Sequence, residues 1–228
     1  MIRIGITGTD TGVGKTLVAR AISSALRRRG LCVVAMKPIE TGVSADDPAR
    51  DGALLAHAAG ETRPLSSVAP LTFASPVAPL AAARQSATAI DVDRLDAAVR
   101  DASTGADVLI VEGAGGLLVP VANGVAFDGL FARWSLDLVI VAANRLGVIN
   151  HTRLTIAAAR AAGLRVRCIV LNRLTRDPAD ASVAHNAELL RELETVAVVE
   201  LPPLDNPDDL ACAATHAEQT GLIGLLVS

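Results

Sequence analysis

Gly8-Thr9-Asp10-Thr11-Gly12-Val13-Gly14-Lys15-Thr16 stands between a short apolar run, Ile2 to Ile6, and a segment of helical periodicity that begins at Lys15. A strand, a glycine-rich turn and a helix in that order make a phosphate-binding loop. The glycines let successive backbone N–H groups point into one concavity, and the helix N-terminus behind them adds partial positive charge. Lys15 is placed to reach the outer phosphates and the Thr16 hydroxyl to serve as a ligand for Mg²⁺. One position departs from the general pattern: Thr9 stands where the first glycine is expected, and Gly8 comes one residue early.

Working outward, the first helix runs from Lys15 to about Arg29, with Val18, Ile22 and Leu26 on one face, and its Arg27-Arg28-Arg29 end is a favourable charge at a helix C-terminus. A second strand, Cys32 to Met36, delivers Lys37-Pro38-Ile39-Glu40-Thr41-Gly42. Lys15 and Lys37 are the only lysines among 21 basic residues. Both fall at strand ends, where a compact ammonium fits differently from a planar guanidinium. The acidic stretch that follows holds Asp46, Asp47 and Asp51, any of which could reach a metal beside Thr16; an N-capping aspartate with solvated neighbours is the competing reading. Pro64 to Pro79, punctuated by prolines, reads as an extended, irregular connection without linker composition.

A helix from about Asp91 to Ser103 leads to Val108-Leu109-Ile110-Val111-Glu112-Gly113-Ala114-Gly115-Gly116. Four apolar residues closed by an acid and glycines describe a buried parallel strand with a carboxylate at its tip, placed to hold Mg²⁺. Further strands at Leu138 to Ala142, Val166 to Leu171 and Val196 to Leu201 alternate with helices, a long one from Ala179 to Glu194 and the last from Asp208 to Gln219. Six strands with intervening helices predict a P-loop NTPase-type α/β fold in a single domain spanning 1–228, a doubly wound, mainly parallel sheet with helices on both faces. Ligands in such sheets sit outside the carboxyl ends of the strands, and the phosphate loop, Lys37 and Glu112 all fall at such ends.

Composition narrows the function classes. Aromatic residues are 2% of the chain and the net charge is -3, which argue against base-stacking platforms and a basic nucleic-acid surface. No run of about eighteen apolar residues and no basic-then-apolar leader appear, so no membrane partner is expected and the cytoplasm is the expected location. Cys32, Cys168 and Cys212 read as buried structural thiols. The four histidines share no zinc-ligand spacing, and Trp134 reads as a packing residue. Asn172-Arg173-Leu174-Thr175 lacks the lysine and aspartate that a guanine-specific site would carry, which favours adenine or a loose base pocket.

Together the phosphate loop, Lys37-Pro38-Ile39-Glu40-Thr41-Gly42, Glu112-Gly113-Ala114-Gly115-Gly116 and Leu146-Gly147-Val148-Ile149-Asn150-His151 resemble dethiobiotin synthetase, whose loop carries the same shifted glycine. The resemblance implies ATP- and Mg²⁺-dependent ring closure of diaminopelargonic acid with CO₂, through a carbamate and a carbamic-phosphoric anhydride, giving dethiobiotin, ADP and phosphate. By position, Lys37, Lys15 and Thr11 would be catalytic, with Lys37 and Thr41 on the diamine or carbamate. Gly12, Val13, Gly14, Lys15, Thr16 and Leu17 would hold the phosphates, and Thr16, Asp51 and Glu112 would organise Mg²⁺. Gly113, Ala114 and Gly115 would approach the nucleotide, Asn172 would read adenine with Arg173 also in the nucleotide site, and Pro202, Pro203 and Leu204 would pack the base. The family is a homodimer, so Gly147, Val148 and Asn150 would bind the partner subunit's substrate across the interface.

Three rival readings share the loop. A partition or targeting switch ATPase would carry a signature lysine where Asp10 stands. A cobyrinate-type synthetase would need a glutaminase domain beyond residue 200. A small-molecule kinase would leave a phosphorylated product instead of free phosphate.

Overall fold

A computed structural model describes residues 1–174, 180–206 and 208–227. Six strands form one sheet: β1 (Ile2–Gly8), β2 (Val33–Met36), β3 (Val108–Gly116), β4 (Asp137–Ala143), β5 (Val166–Asn172) and β6 (Ala197–Leu201). Their order is β6-β5-β4-β1-β3-β2, and every neighbouring pair is parallel. The sheet is therefore the doubly wound one expected, with the reversal of strand order beside β1. Alternate residues feed two cores. Ile4, Ile6, Val108, Ile110, Val139, Val141, Cys168 and Val170 pack towards helix α1 (Lys15–Arg28), helix α2 (Asp51–Ala59) and the helix Leu210–Gln219. On the opposite face, Leu109, Val111 and Leu138 share a cluster with Phe127, Phe131 and Trp134. Trp134 is buried as expected, its Nε1 donating to Asp96 Oδ1 at 2.7 Å.

Several elements differ from the sequence reading. β3 does not stop at Glu112 but runs on to Gly116, and after a shift of register Gly8 pairs with Gly116. Four apolar residues mark only its buried half. Pro64–Pro79 is more ordered than its prolines suggest. It contains a helical turn, Leu65–Val68, and a strand, Leu71–Phe73, that pairs in parallel with Ile39–Thr41. Pro79 itself begins the helix Pro79–Gln85, where a missing N–H costs nothing. A further short helix, Leu222–Val227, follows the last one expected. The helix expected from Ala179 to Glu194 spans Val183–Leu193; its expected start at Ala179 lies outside the described residues.

The arginine run at the end of α1 is also more than a charge at a helix terminus, because Arg29 pairs with Glu218 and Arg28 donates to Thr215, tying α1 to the helix Leu210–Gln219. Of the three free cysteines only Cys168 is fully buried, and burial pushes its thiol up to about 12. Cys32 is exposed, one residue short of β2, and Cys212 is partly covered. Among the described residues no helix is long and apolar enough to cross a membrane.

Candidate active site

The loop after β1 explains its own glycines. A side chain at Gly8 would come within 2.8 Å of the Asp10 carbonyl and 2.9 Å of Val13, beside the Lys15 ammonium, so the early glycine is required by space. Gly14 adopts φ 90°, and a Cβ there would lie 2.0 Å from Asn172 Nδ2. The Asn172 side chain, buried at the end of β5, donates to the Val13 carbonyl at 3.0 Å and leaves its Oδ1 without a partner. Lys15, at the start of α1, donates to the Asp10 carbonyl at 3.0 Å.

Beside this loop a cluster converges from three elements. The Lys37 ammonium, just past β2, donates to Asp51 Oδ2 at 2.7 Å and to Glu112 Oε1. Thr16 Oγ1 donates to the same Glu112 oxygen at 2.9 Å. Glu112 has no solvent exposure, and its Oε2 has no hydrogen-bond partner. Burial opposes the charge on Lys37, but Glu112 and Asp51 outweigh it and hold the ammonium protonated above its usual range. Burial drives Glu112 upward, against the pull of Lys37. Asp51 is partly desolvated, yet Lys37 and Thr16 hold its carboxyl below the usual range. Lys15 is lowered to about 8 by burial and by the neighbouring Lys37 charge, with Glu112 and Asp51 opposing.

These groups open into one cleft of about 530 Å³. The phosphate loop forms one wall with Thr11, Gly12 and Gly14; the Ala114–Gly115 end of β3 forms another. The third is Thr41, Val43 and the Pro76–Pro79 stretch, an apolar wall that sequence reasoning treats as mere connection. Glu40 lines the cleft as well, buried and paired with Arg50, and nothing in its local sequence distinguishes it from a solvated strand residue.

The family model of an AAA domain matches residues 3–208. Relatives named ATP-dependent dethiobiotin synthetase BioD match most of the chain. The protein from Anaeromyxobacter dehalogenans strain 2CP-C is 43% identical over 82% of this chain and 83% of its own length. That from Aquifex aeolicus is 35% identical over 90% of both. That from Bacillus cereus strain G9842 is 34% identical over 87% of this chain and 81% of its own. The chain belongs to the dethiobiotin synthetase family. Solved structures share its fold at low identity. The septum site-determining protein MinD with Mg-ADP from Pyrococcus horikoshii superposes with TM-score 0.58 and 15% identity over 99% of this chain and 98% of its own. A ParA family ATPase from Chlorobium tepidum gives 0.54 and 15% over 100% and 98%. The fold is thus shared between this chain and those two proteins.

Half of the positions that the dethiobiotin synthetase resemblance singles out line this cleft, among them Thr11, Lys15, Thr16, Lys37, Thr41, Asp51 and Glu112. Of the three acidic candidates Asp51 is the one that lines the cleft, beside Lys37. Asp46 is exposed, and Asp47 turns its Oδ1 to the Ala49 N–H. Asp51 is not an N-cap, because it is the first helical residue and Arg50 precedes it in extended conformation. Leu17 is half-buried on α1, and Arg173 donates its N–H to the Leu201 carbonyl, so the end of β5 lies against the Pro202–Leu204 turn. Thr175 and Pro207 lie outside the described residues. Gly147, at φ 92°, caps the helix Val148–Ala161 outside the cleft. Asn150 is exposed there, but the Val148 side chain is buried among core residues such as Ile156, so that position has only its backbone to offer a ligand.

Proposed function

We propose that the chain closes the urea ring of dethiobiotin from diaminopelargonic acid and CO₂ or bicarbonate at the expense of ATP. The observation that supports this best is the meeting of the chain's only two lysines with Thr16, Asp51 and Glu112 in one cleft, in a member of this family. One amine of the diamine adds to CO₂ and loses a proton, giving a carbamate. A carbamate oxygen then attacks the γ-phosphorus and ADP leaves; the second amine attacks the resulting anhydride carbon, closing the ring and releasing phosphate. Carbamate and triphosphate are both anions, so their approach requires fixed cations. Lys37, held protonated at the base of the cleft, meets the carbamate and the transferring phosphoryl group. Lys15 and the Thr11 hydroxyl meet the γ-phosphate, and Thr41 meets the diamine.

The residues fit a magnesium ion. Glu112 Oε2 is buried and unpartnered, Asp51 is ionised, and the Thr16 oxygen lies between them. Among the described residues no three His, Cys, Asp or Glu side chains gather as a metal site, but Mg²⁺ needs only one or two carboxylates when phosphates and water complete its shell. When bound, the ion supplies positive charge against the phosphoryl oxygens as charge moves onto the leaving ADP. The unpartnered Asn172 Oδ1 is an acceptor suited to an exocyclic amino group, which supports ATP as the nucleotide.

The functional unit in this reading is a homodimer in the cytoplasm, with the helix end at Gly147, Val148 and Asn150 binding the partner subunit's substrate. Exposed Leu118, Leu146 and Leu154 support an apolar contact surface near that helix. The reading requires phosphate release from ATP that depends on the diamine.

A further inference from the structure

Glu40 and Arg50 form a second charged pair beside the cleft, and the catalytic scheme does not use it. Glu40 sits in the short strand Ile39–Thr41, opposite Thr72 of its parallel partner. Arg50 Nη1 donates to Glu40 Oε2 at 2.5 Å and to Thr72 Oγ1 at 2.9 Å, and both charged side chains are almost fully buried. The other Glu40 oxygen accepts the Gly52 N–H at 2.7 Å. Gly52 is the second residue of α2, whose own N-cap, Arg50, makes no side-chain capping bond. Helix N-terminal N–H groups need an acceptor and favour an anion, and here a strand elsewhere in the fold delivers one. Gly52 leaves room for it, since a Cβ there would come within 3.0 Å of Glu40 Oε2 and 2.8 Å of the Ala69 methyl.

We infer that Glu40 and Arg50 are positioning residues that pin the N-terminus of α2 to the strand pair, so that Asp51 presents its carboxylate to Lys37 and to the magnesium site. Buried ion pairs are a weak source of net stability against apolar replacements, so what this pair contributes is placement. The pinned residues on either side of Asp51, Arg50 and Gly52, leave its backbone little freedom, while its carboxylate remains partly open to the cleft. Glu40 lines that cleft, but each of its oxygens is already engaged, one with Arg50 and the other with the Gly52 N–H.

The inference rests on the metal role proposed for Asp51, and the test separates the two. Glu40→Gln and the double variant Glu40→Gln/Arg50→Met, which leaves no buried charge uncompensated, are compared with the parent chain. Backbone amide exchange is followed over Gly52 to Leu54, Mg·ADP binding is titrated by calorimetry against Mg²⁺ concentration, and diamine kinetics are measured. The expected result is faster exchange in the first turn of α2 and a half-saturating Mg²⁺ concentration raised about 10-fold in both variants, with the diamine KM within about twofold of the parent. Loosened exchange with unchanged Mg²⁺ dependence would overturn the inference. A raised diamine KM with unchanged Mg²⁺ dependence would do so too, and would assign Glu40 to direct substrate contact. If Asp51→Asn leaves Mg·ADP binding unaltered, the metal role falls on its own account. If the parent releases no diamine-dependent phosphate, the reaction reading falls while the exchange and calorimetric results still decide the pin.

Discussion

The Lys37 ammonium donates to Glu112 Oε1, the carboxylate of a residue with no solvent exposure at the tip of a central strand. A charge placed there without a partner would carry a severe desolvation cost, and Lys37 is the nearest compensation within the chain. The second Glu112 oxygen has no partner, so the pair is only half of what that carboxylate can bind. A cation arriving beside it would meet that free oxygen, with Thr16 hydrogen-bonded to the other Glu112 oxygen and Asp51 held nearby by Lys37.

Removing one member of this pair should cost more than removing both. Lys37→Met should lower unfolding free energy by about 3–5 kcal/mol, since it leaves Glu112 buried without its cation. Lys37→Met/Glu112→Gln should be less destabilised than the sum of the single variants. Urea titrations of the four proteins check this, and additive losses would mean that the two side chains do not compensate each other. Turnover should fall about 10²–10³-fold in Lys37→Met, the scale of one lost electrostatic contact in a transition state.

Glu112→Gln should raise the Mg²⁺ concentration needed for half-maximal turnover, because it replaces the charged, unpartnered oxygen by a neutral amide. A Mg²⁺ titration that superposes on the parent's would remove Glu112 from the metal site.

Gly14→Ala meets two separate obstacles, a left-handed backbone and the Asn172 amide. The backbone alone costs about 1–2 kcal/mol. Gly14→Ala should therefore destabilise by more than that and weaken ADP binding, and in the Asn172→Ala background the cost should shrink towards the backbone contribution. Thermal unfolding with and without nucleotide reads both effects.

Much of this architecture is legible in the sequence, and what is not has physical reasons. The alternation of apolar runs and helical periods is local, and it reports six strands and their connecting helices. The lysines and acids at strand ends mark the cleft because parallel sheets gather those ends together. The strand Leu71–Phe73 escapes a local reading because its pairing with Ile39–Thr41 is non-local and the flanking prolines mask it. Cys32 departs from its expected burial for a related reason: its apolar neighbours belong to β2, which starts one residue later and lies at the edge of the sheet. Neither Glu40 nor the Pro76–Pro79 wall carries any local sign of facing a cleft, and Asp51 stands out from Asp46 and Asp47 in the sequence only through the family resemblance.

The cysteines should differ in reactivity as they do in burial. In the folded chain Cys168 stays neutral up to about 12, whereas an ordinary thiol ionises near 9.0. Between those values the unfolded chain releases a proton that the folded chain keeps, so stability should fall as pH rises through that window. A thiol reagent at neutral pH should modify Cys32 rapidly and leave Cys168 intact until urea is added; mass spectrometry of the labelled peptides reads the order.

If the helix end at Asn150 serves the partner subunit's substrate, inactive Lys37→Ala and Asn150→Ala chains should regain activity when mixed, because one of the two shared sites is then intact. No recovery under verified mixing would count against a shared site.

The most direct test of the central claim is phosphate release from ATP, Mg²⁺ and bicarbonate, with and without diaminopelargonic acid, coupled to mass detection of the organic product. The account predicts phosphate only in the presence of the diamine, together with the mass of dethiobiotin. Phosphate release indifferent to the diamine, or a stable phosphorylated product, would contradict it.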